Sequence, residues 1–349
     1  MRIGTRLGLA GVISGALCLT LAACSTSEPA SQDGAVSGRT SSPPAELASA
    51  AGADQADIEV VLLGTGSPVP SVERFGNSTL VRANGLNLVF DAGRGASIRL
   101  NQLGVPIGTI DGVFLTHFHS DHVNGLADLW LTGYIPALGG REGSFHLYGP
   151  PGVSQISDGL LLTHQNDIDV RVADENLLRD TAAITPHEFD DEGVIFDRDD
   201  VRVTMFEVEH DAAGAIDPAV GYRIDYGESS VLISGDTRPT PNILKYGEDV
   251  DLLIHEVADF VDPSLPALQN VYSHHTNPQQ AGEIFARTRP AMAAYSHIVH
   301  GAPPRIPDLP IEVIVERTRE TYDGPLTVGE DLMAFYISDR DVRVESHTG

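Results

Sequence analysis

The sequence predicts an α/β fold, in which short apolar strands alternate with helices. Runs rich in β-branched and apolar residues, such as 58–63 and 201–207, stop at glycine or polar turn residues. Helical segments lie between such runs. In 277–287, Asn277 is a good helix cap and Pro278 suits the first helical turn. This alternation is typical of sheets covered by helices.

The predicted elements follow one another from residue 58. The first strand, 58–63, ends at Gly64-Thr65-Gly66, and the runs 78–82 and 87–90 form a hairpin around Asn84-Gly85. A helix over 96–103 is closed by Gly104 and leads into a strand over 111–116. Further strands are predicted at 201–207, 221–226, 230–234, 252–255 and 291–295, with a helix at 277–287.

The N-terminal region resembles a bacterial lipoprotein signal. Arg2 and Arg6 precede an apolar stretch that ends at Leu21-Ala22-Ala23-Cys24. We therefore expect a signal over 1–23, export to the cell envelope, and a lipid on Cys24 that anchors the chain to a membrane. An ordinary secretory signal is the alternative. Residues 24–56 are rich in Ser, Ala, Gly and Pro and predict a flexible tether, followed by one domain over 57–349.

The composition indicates a folded, acidic protein. Hydrophobic residues make up 42% of the chain, and 22 basic against 49 acidic residues give a net charge of −27. Lys245 is the only lysine. Because such a chain has little means of neutralising phosphates, we expect no nucleic-acid partner.

The densest chemical signal is Thr116-His117-Phe118-His119-Ser120-Asp121-His122, directly after a predicted strand. In an extended segment, alternate residues lie on one side, so His117 and His119 point the same way. Asp121 and His122 then turn the corner towards the same point. Imidazole nitrogens and a carboxylate suit zinc, and also iron or manganese. The segment predicts a metal site.

This segment resembles the His-x-His-x-Asp-His signature of the metallo-β-lactamase superfamily. The segments 64–70, 90–93 and 234–237 resemble motifs of its tRNase Z and arylsulfatase-like branch, and the aspartate of the second, Asp91, would support the metal loop. The resemblance covers about 60–336. It implies a four-layer αβ/βα sandwich with the metals at the edge of two sheets.

The resemblance also implies a ligand set for two Zn²⁺ ions, with Mn²⁺ or Fe²⁺ as alternatives. His210 is assigned because 208–210 precedes Gly221-Tyr222-Arg223, as in the family. Asp236 and His297 each follow a predicted strand, where sites of α/β proteins usually lie. The implied ligands are His117, His119 and His210 for the first ion, Asp121, His122 and His297 for the second, and Asp236 as the bridge.

Two further residues are implied to act without binding metal. The stretch 272–276 resembles the family's His-x-Thr motif, in which His274 would assist the leaving group, and Glu256 of the His-Glu pair would orient His274. His275 is the alternative to His274, and both histidines could instead cap the next helix. Asp121 or Asp236 would orient or relay a proton.

These features predict a metal-dependent hydrolase of a small-molecule ester. A phosphodiester or a sulfate ester is favoured, attacked by a hydroxide that bridges the metals. A lactone hydrolase, a tRNase Z-like endonuclease and a non-catalytic, metal-stabilised binding lipoprotein are the alternatives. Residues 128–134 are expected to line the pocket, with Trp130 either against a substrate or in the core. A homodimer is expected from the family alone.

Overall fold

The computed structural model describes residues 56–211 and 214–346. The predicted signal over 1–23 and residues 24–55 of the predicted tether lie outside these residues. Among the helices that are described, none has both the length and the apolar character needed to cross a bilayer.

The predicted elements are present, and the chain also forms elements that the sequence analysis does not name, among them strands over 145–149, 184–188 and 193–198 and a helix over 153–174. The strands are β1 Ile58–Gly64, β2 Ser78–Ala83, β3 Leu86–Phe90, β4 Gly112–Phe114, β5 Phe145–Gly149, β6 Ile184–Glu188, β7 Gly193–Arg198, β8 Val201–Glu207, β9 Val220–Tyr226, β10 Ser229–Ile233, β11 Leu252–Ala258, β12 Met292–Val299, β13 Leu326–Val328, β14 Met333–Ser338 and β15 Asp341–Ser346. The helices are α1 Ala96–Gln102, α2 Ser120–Val123, α3 Leu126–Thr132, α4 Val153–Asp174, α5 Pro241–Tyr246, α6 Gln269–His274, α7 Pro278–Thr288 and α8 Ile311–Thr318.

The strands form two mixed sheets. The first has eight strands in the order β15-β14-β1-β2-β3-β4-β5-β6, and the second has seven in the order β13-β12-β11-β10-β9-β8-β7. Strands β3 to β6 run parallel to one another, and so do strands β10 to β13. The ends of these parallel strands open on the same side of each sheet, where the loops that follow them carry the site.

Three apolar clusters place the sheets and helices in four layers. One cluster joins the facing sides of both sheets and includes Val60 and Leu62 from β1 and Tyr222 and Ile224 from β9. A second lies on the outer face of the first sheet under α1, α3 and α4. A third covers the outer face of the second sheet under α5, α7 and α8. This is the expected αβ/βα sandwich.

The predictions of turns and helix ends are confirmed where the sequence has residues with a clear preference for such positions. Asn84 and Gly85 take φ of 47° and 79°, which a tight hairpin turn between β2 and β3 requires. The Asn277 side chain accepts a hydrogen bond from the amide of Gln280, whose side chain in turn accepts from the Asn277 amide. This reciprocal capping box explains why α7 begins where the sequence predicts.

Within the expected pocket wall over 128–134, Asp128 lines a cavity, and Trp130 takes the core role, which is one of the two roles left open for it. Trp130 is fully buried among the apolar residues of the second cluster, and its Nε1 donates to the carbonyl of Ala182 at 3.0 Å. Tyr134 is buried beside it. A buried Trp with a satisfied N–H contributes to the core, so it does not stack on a substrate.

Candidate metal centre

The predicted ligands come from loops and strand ends at one edge of the sandwich. The segment 116–122 follows β4, His210 follows β8, Asp236 follows β10, and His297 lies near the end of β12. Gly235 lets the chain turn into Asp236, because its φ is +62° and an added Cβ would lie 2.6 Å from the carbonyl oxygen of Val220. The fold thus brings together residues that are far apart in sequence.

Three imidazoles of the first predicted set converge on one point. His117 Nε2 lies 3.0 Å from His119 Nδ1, and His210 Nε2 lies 3.1 Å from the same atom. Asp236 Oδ2 lies 3.8 Å from His117 Nε2 and 3.6 Å from His210 Nε2. Three ring nitrogens and a carboxylate oxygen at these distances are a donor set that suits zinc.

The second predicted set converges beside the first. His297 Nε2 lies 3.0 Å from Asp121 Oδ2, and His122 Nε2 lies 3.7 Å from that oxygen. Asp236 closes this group as well, with Oδ1 3.4 Å from His122 Nε2 and Oδ2 3.3 Å from His297 Nε2. Asp236 therefore faces both groups, as the bridging role requires.

Unsatisfied atoms show that the donor set fits a cation. His122 Nε2 and Asp236 Oδ1 are buried and have no hydrogen-bond partner within the described residues. Buried polar atoms without partners are costly, and a metal ion satisfies both. The residues present therefore fit the two metals that the resemblance implies. Metal binding itself stays a prediction.

Buried hydrogen bonds fix the ring atoms that face the centre. Nδ1 of His122 donates to Asp91 Oδ2 at 2.7 Å, which leaves Nε2 as the ligand atom. Asp91 Oδ1 also accepts from the Thr116 amide at 2.8 Å, so one carboxylate supports both the loop and the ring. Similarly, Nδ1 of His210 donates to the carbonyl of His274 at 3.1 Å.

Glu256 contacts a different histidine from the one predicted. Its Oε1 lies 3.1 Å from Nδ1 of His275 and accepts from the amides of Thr237 and Thr276. His275 groups with Asp236 and His297 at the centre. The predicted partner, His274, is the last residue of α6, and its Nε2 lies 3.6 Å from Asp211 Oδ1. Glu256 is therefore placed to orient His275 rather than His274.

Comparison with known proteins identifies the family. A family profile described as "Anti-Pycsar protein Apyc1" matches residues 58–264. Ribonuclease Z from Mycobacterium marinum is 32% identical over 246 residues, which is 69% of this chain and 86% of the relative. The chain belongs to the ribonuclease Z family of metallo-β-lactamase-fold hydrolases.

Solved structures agree on the fold of this hydrolase. The short form of human tRNase Z matches with a TM-score of 0.58 at 22% identity, covering 80% of this chain and 98% of that one. Zinc-bound PqqB from Methylobacterium extorquens matches with a TM-score of 0.54 at 19% identity, covering 80% and 100%. This family membership makes the chain a metal-dependent hydrolase that acts on ester bonds.

The expectation that nucleic acid is not a partner of this hydrolase is wrong. It rested on the net charge of −27 and on the single lysine, Lys245, whereas the relative named above is a ribonuclease. Net charge sums groups over the whole surface, and exposed charges beyond about 10 Å from a bound phosphate are largely screened at 0.1 M salt. The charges close to the site decide whether a phosphate binds there.

Burial and charge set the protonation of the centre. Burial lowers the pKa of His210 to about 4 and that of His117 well below its usual range, so both rings are neutral at pH 7. Burial opposes charge on Asp236 and His122. His297 and His122 nevertheless hold the pKa of Asp236 well below its usual range, and Asp236 and Asp91 raise that of His122. The charged Asp236 carboxylate therefore favours the binding of a cation at the centre. Such a cation would compete with the proton on His122.

Two cavities flank the centre of this hydrolase. A cavity of about 870 Å³ runs between 66–75, 94–98 and 298–308, and no predicted ligand lines it. A smaller cavity of about 280 Å³ is lined by His275 and therefore adjoins the centre directly. His119 is the exposed member of the ligand set, and the other six are buried. The centre thus opens to solvent on the His119 side.

Proposed function

We propose that this chain hydrolyses phosphodiester bonds at a centre of two zinc ions. The observation that supports this most is the position of Asp236, which lies within 4 Å of ligand atoms in both groups. A carboxylate shared by two donor sets is suited to a dinuclear site. Mn²⁺ and Fe²⁺ suit the same nitrogen and oxygen donors.

The residues around the centre suit this reaction. Bound zinc ions would supply Lewis acidity and a hydroxide nucleophile near neutral pH. Asp121 Oδ2, 3.0 Å from His297 Nε2, is placed to orient a water proton. His275, held through Nδ1 by Glu256, presents Nε2 as the atom that exchanges a proton with a leaving oxygen. His274 is the alternative donor and stays a prediction.

The natural phosphodiester has two candidate forms. The similarity to ribonuclease Z supports RNA as the substrate, and therefore an endonuclease activity. A smaller phosphodiester uses the same centre. Sulfate esters, lactones and a purely ligand-binding role have no observation of their own in the described residues.

The test is a matched panel of substrates with purified residues 25–349. The panel holds a chromogenic phosphodiester, a phosphomonoester, a sulfate ester, a lactone, a β-lactam and a short RNA, each with and without a chelator. We expect turnover of the phosphodiester that is lost on chelation and restored by zinc. Turnover of the lactone or the sulfate ester alone would overturn the proposal, and so would two bound metals with no turnover at all.

We also propose that the chain is exported and carries a lipid on Cys24. The support is the sequence 1–24, which lies outside the described residues. A Cys24→Ser variant is expected to move from the membrane fraction to the soluble exported fraction and to lose incorporation of a labelled fatty acid. Unchanged membrane attachment of this variant would refute the anchor.

A further inference from the structure

The cavity of about 280 Å³ beside His275 has an unusual lining for so acidic a chain. It is lined by Arg238, Pro239, Tyr272, Ser273, His275 and Gln280. None of these described residues is acidic, although the chain has 49 acidic residues. His275 lines this cavity and also groups with Asp236 and His297, so the cavity adjoins the predicted metal centre.

Arg238 is held by its backbone but not by its side chain. Its amide donates to the carbonyl of Glu209 at 2.8 Å, and its carbonyl accepts from Thr237 Oγ1 at 2.7 Å. The guanidinium makes no hydrogen bond within 56–211 and 214–346. Its one ion pair there is a 3.8 Å approach of Nε to Glu209, between side chains that are 39% and 56% exposed. Such an exposed pair contributes little, so the guanidinium is available to a ligand.

Gln280, which also lines this cavity, supplies a second donor. Its Oε1 is already used, because it accepts from the Asn277 amide in the capping box. This fixes the amide group and leaves Nε2 without a hydrogen-bond partner among the described residues. The hydroxyls of Tyr272 and Ser273 donate elsewhere, to Asp259 and to the carbonyl of Asn270. The available donors are therefore a guanidinium and a fixed amide, which match the oxygens of a phosphate group.

We infer that Arg238 and Gln280 form a subsite for a second phosphate of the substrate, next to the diester that is cleaved. The inference rests on the proposed phosphodiesterase function and narrows its substrate class. A diester that carries a neighbouring phosphate is preferred over the same diester without one. Arg238 thus acts as a specificity-determining residue, because its charge meets the second phosphate.

The test compares thymidylyl-thymidine with the same dinucleotide carrying a terminal phosphate at its 5′ or its 3′ end. Chromatography of the products gives kcat/KM for each. We expect wild type to prefer one of the phosphorylated forms by at least about tenfold, since hydrogen bonds to charged groups are among the stronger ones. In Arg238→Gln this preference is expected to fall to near unity. Gln280→Leu is expected to reduce it in part.

Controls separate this inference from the proposed function. Arg202→Gln, near the start of β8 and thus at the end opposite to His210, is expected to keep the preference. Thermal unfolding of Arg238→Gln checks that the fold is retained. Equal turnover of all three dinucleotides by wild type, or the same preference in wild type and Arg238→Gln, would overturn the subsite alone. No chelator-sensitive turnover of any dinucleotide would overturn the proposed function and the subsite with it.

Discussion

Oδ2 of Asp91 accepts a hydrogen bond of 2.7 Å from Nδ1 of His122. The same oxygen accepts from Asn77 Nδ2 at 3.1 Å, and Oδ1 accepts from the Thr116 amide at 2.8 Å. Asp91 is 1% exposed and follows β3 with φ of 57°. One buried carboxylate therefore sets the tautomer of a predicted ligand and the position of the loop that carries four of them.

Asp91→Asn is expected to weaken zinc binding by roughly 10- to 100-fold, as loss of such a supporting group does. Both Asp91 oxygens accept hydrogen bonds, so an amide NH₂ would meet a donor whichever way it turned. Competition with a chromophoric chelator measures the affinity. Asp251→Asn is the matched control, because Asp251 is also buried and accepts from the Ser230 amide, but contacts no predicted ligand. Equal zinc affinity in wild type and Asp91→Asn would contradict this role.

Asp236→Ala is expected to lose most of the bound metal and nearly all turnover. Asp236 lies within 4 Å of His117, His210, His122 and His297, so its removal takes a ligand from both groups. Elemental analysis of purified protein gives the number of metal ions per chain, which we expect to be two in wild type. Asp225→Ala on β9 serves as a control away from the centre. A metal-free Asp236→Ala protein with full activity would refute the scheme.

The sequence predicts the metal centre best where the predicted ligands lie close together in the sequence. The segment from His117 to His122 shows its chemistry directly, because four donors follow one strand. Asp236 and His297 follow predicted strands, but the family resemblance is what assigns them and His210 to one centre, since their closeness depends on how two sheets face each other. The hairpin turn and the α7 cap are predicted because short-range backbone preferences determine them.

The choice between His274 and His275 shows why the sequence does not predict which side chain faces the centre. His274 and His275 are adjacent, and their directions depend on how α6 ends. His274 is still helical, whereas His275 is extended, with φ −121° and ψ 171°. This change of backbone turns His275 towards Glu256 and the centre. No pattern in the sequence indicates at which residue a six-residue helix stops.

Single variants separate the two histidines. We expect His275→Ala to keep its metal and to lose turnover by roughly 100-fold or more, since proton transfer by a positioned side chain contributes about 10²–10⁴-fold. His274→Ala is expected to keep its metal and to lose less, because its side chain pairs with Asp211 and not with Glu256. Steady-state kcat and metal content are measured together. A larger loss in His274→Ala would restore the assignment that the resemblance implies.

Another histidine next to the centre links stability to pH. His255 is fully buried, its Nδ1 donates to the carbonyl of Glu256 at 2.7 Å, and its Nε2 has no partner among the described residues. Burial lowers the pKa of His255 to about 4. In the unfolded chain the ring takes up its proton near pH 6.5. Between these values the unfolded state binds more protons than the folded state, so acid destabilises the fold.

His255→Asn is therefore expected to flatten the loss of stability between pH 6.5 and pH 4. The asparagine amide replaces the Nδ1 donor but does not titrate in this range. Urea unfolding in the presence of a chelator, at several pH values in this window, gives the free energy of unfolding without a contribution from bound metal. The difference in the free energy of unfolding between the variant and wild type should shift in favour of the variant by about 1.4 kcal/mol for each pH unit of acidification, down to pH 4. If the free energies of unfolding of wild type and His255→Asn change equally with pH between pH 6.5 and pH 4, His255 does not cause the acid sensitivity.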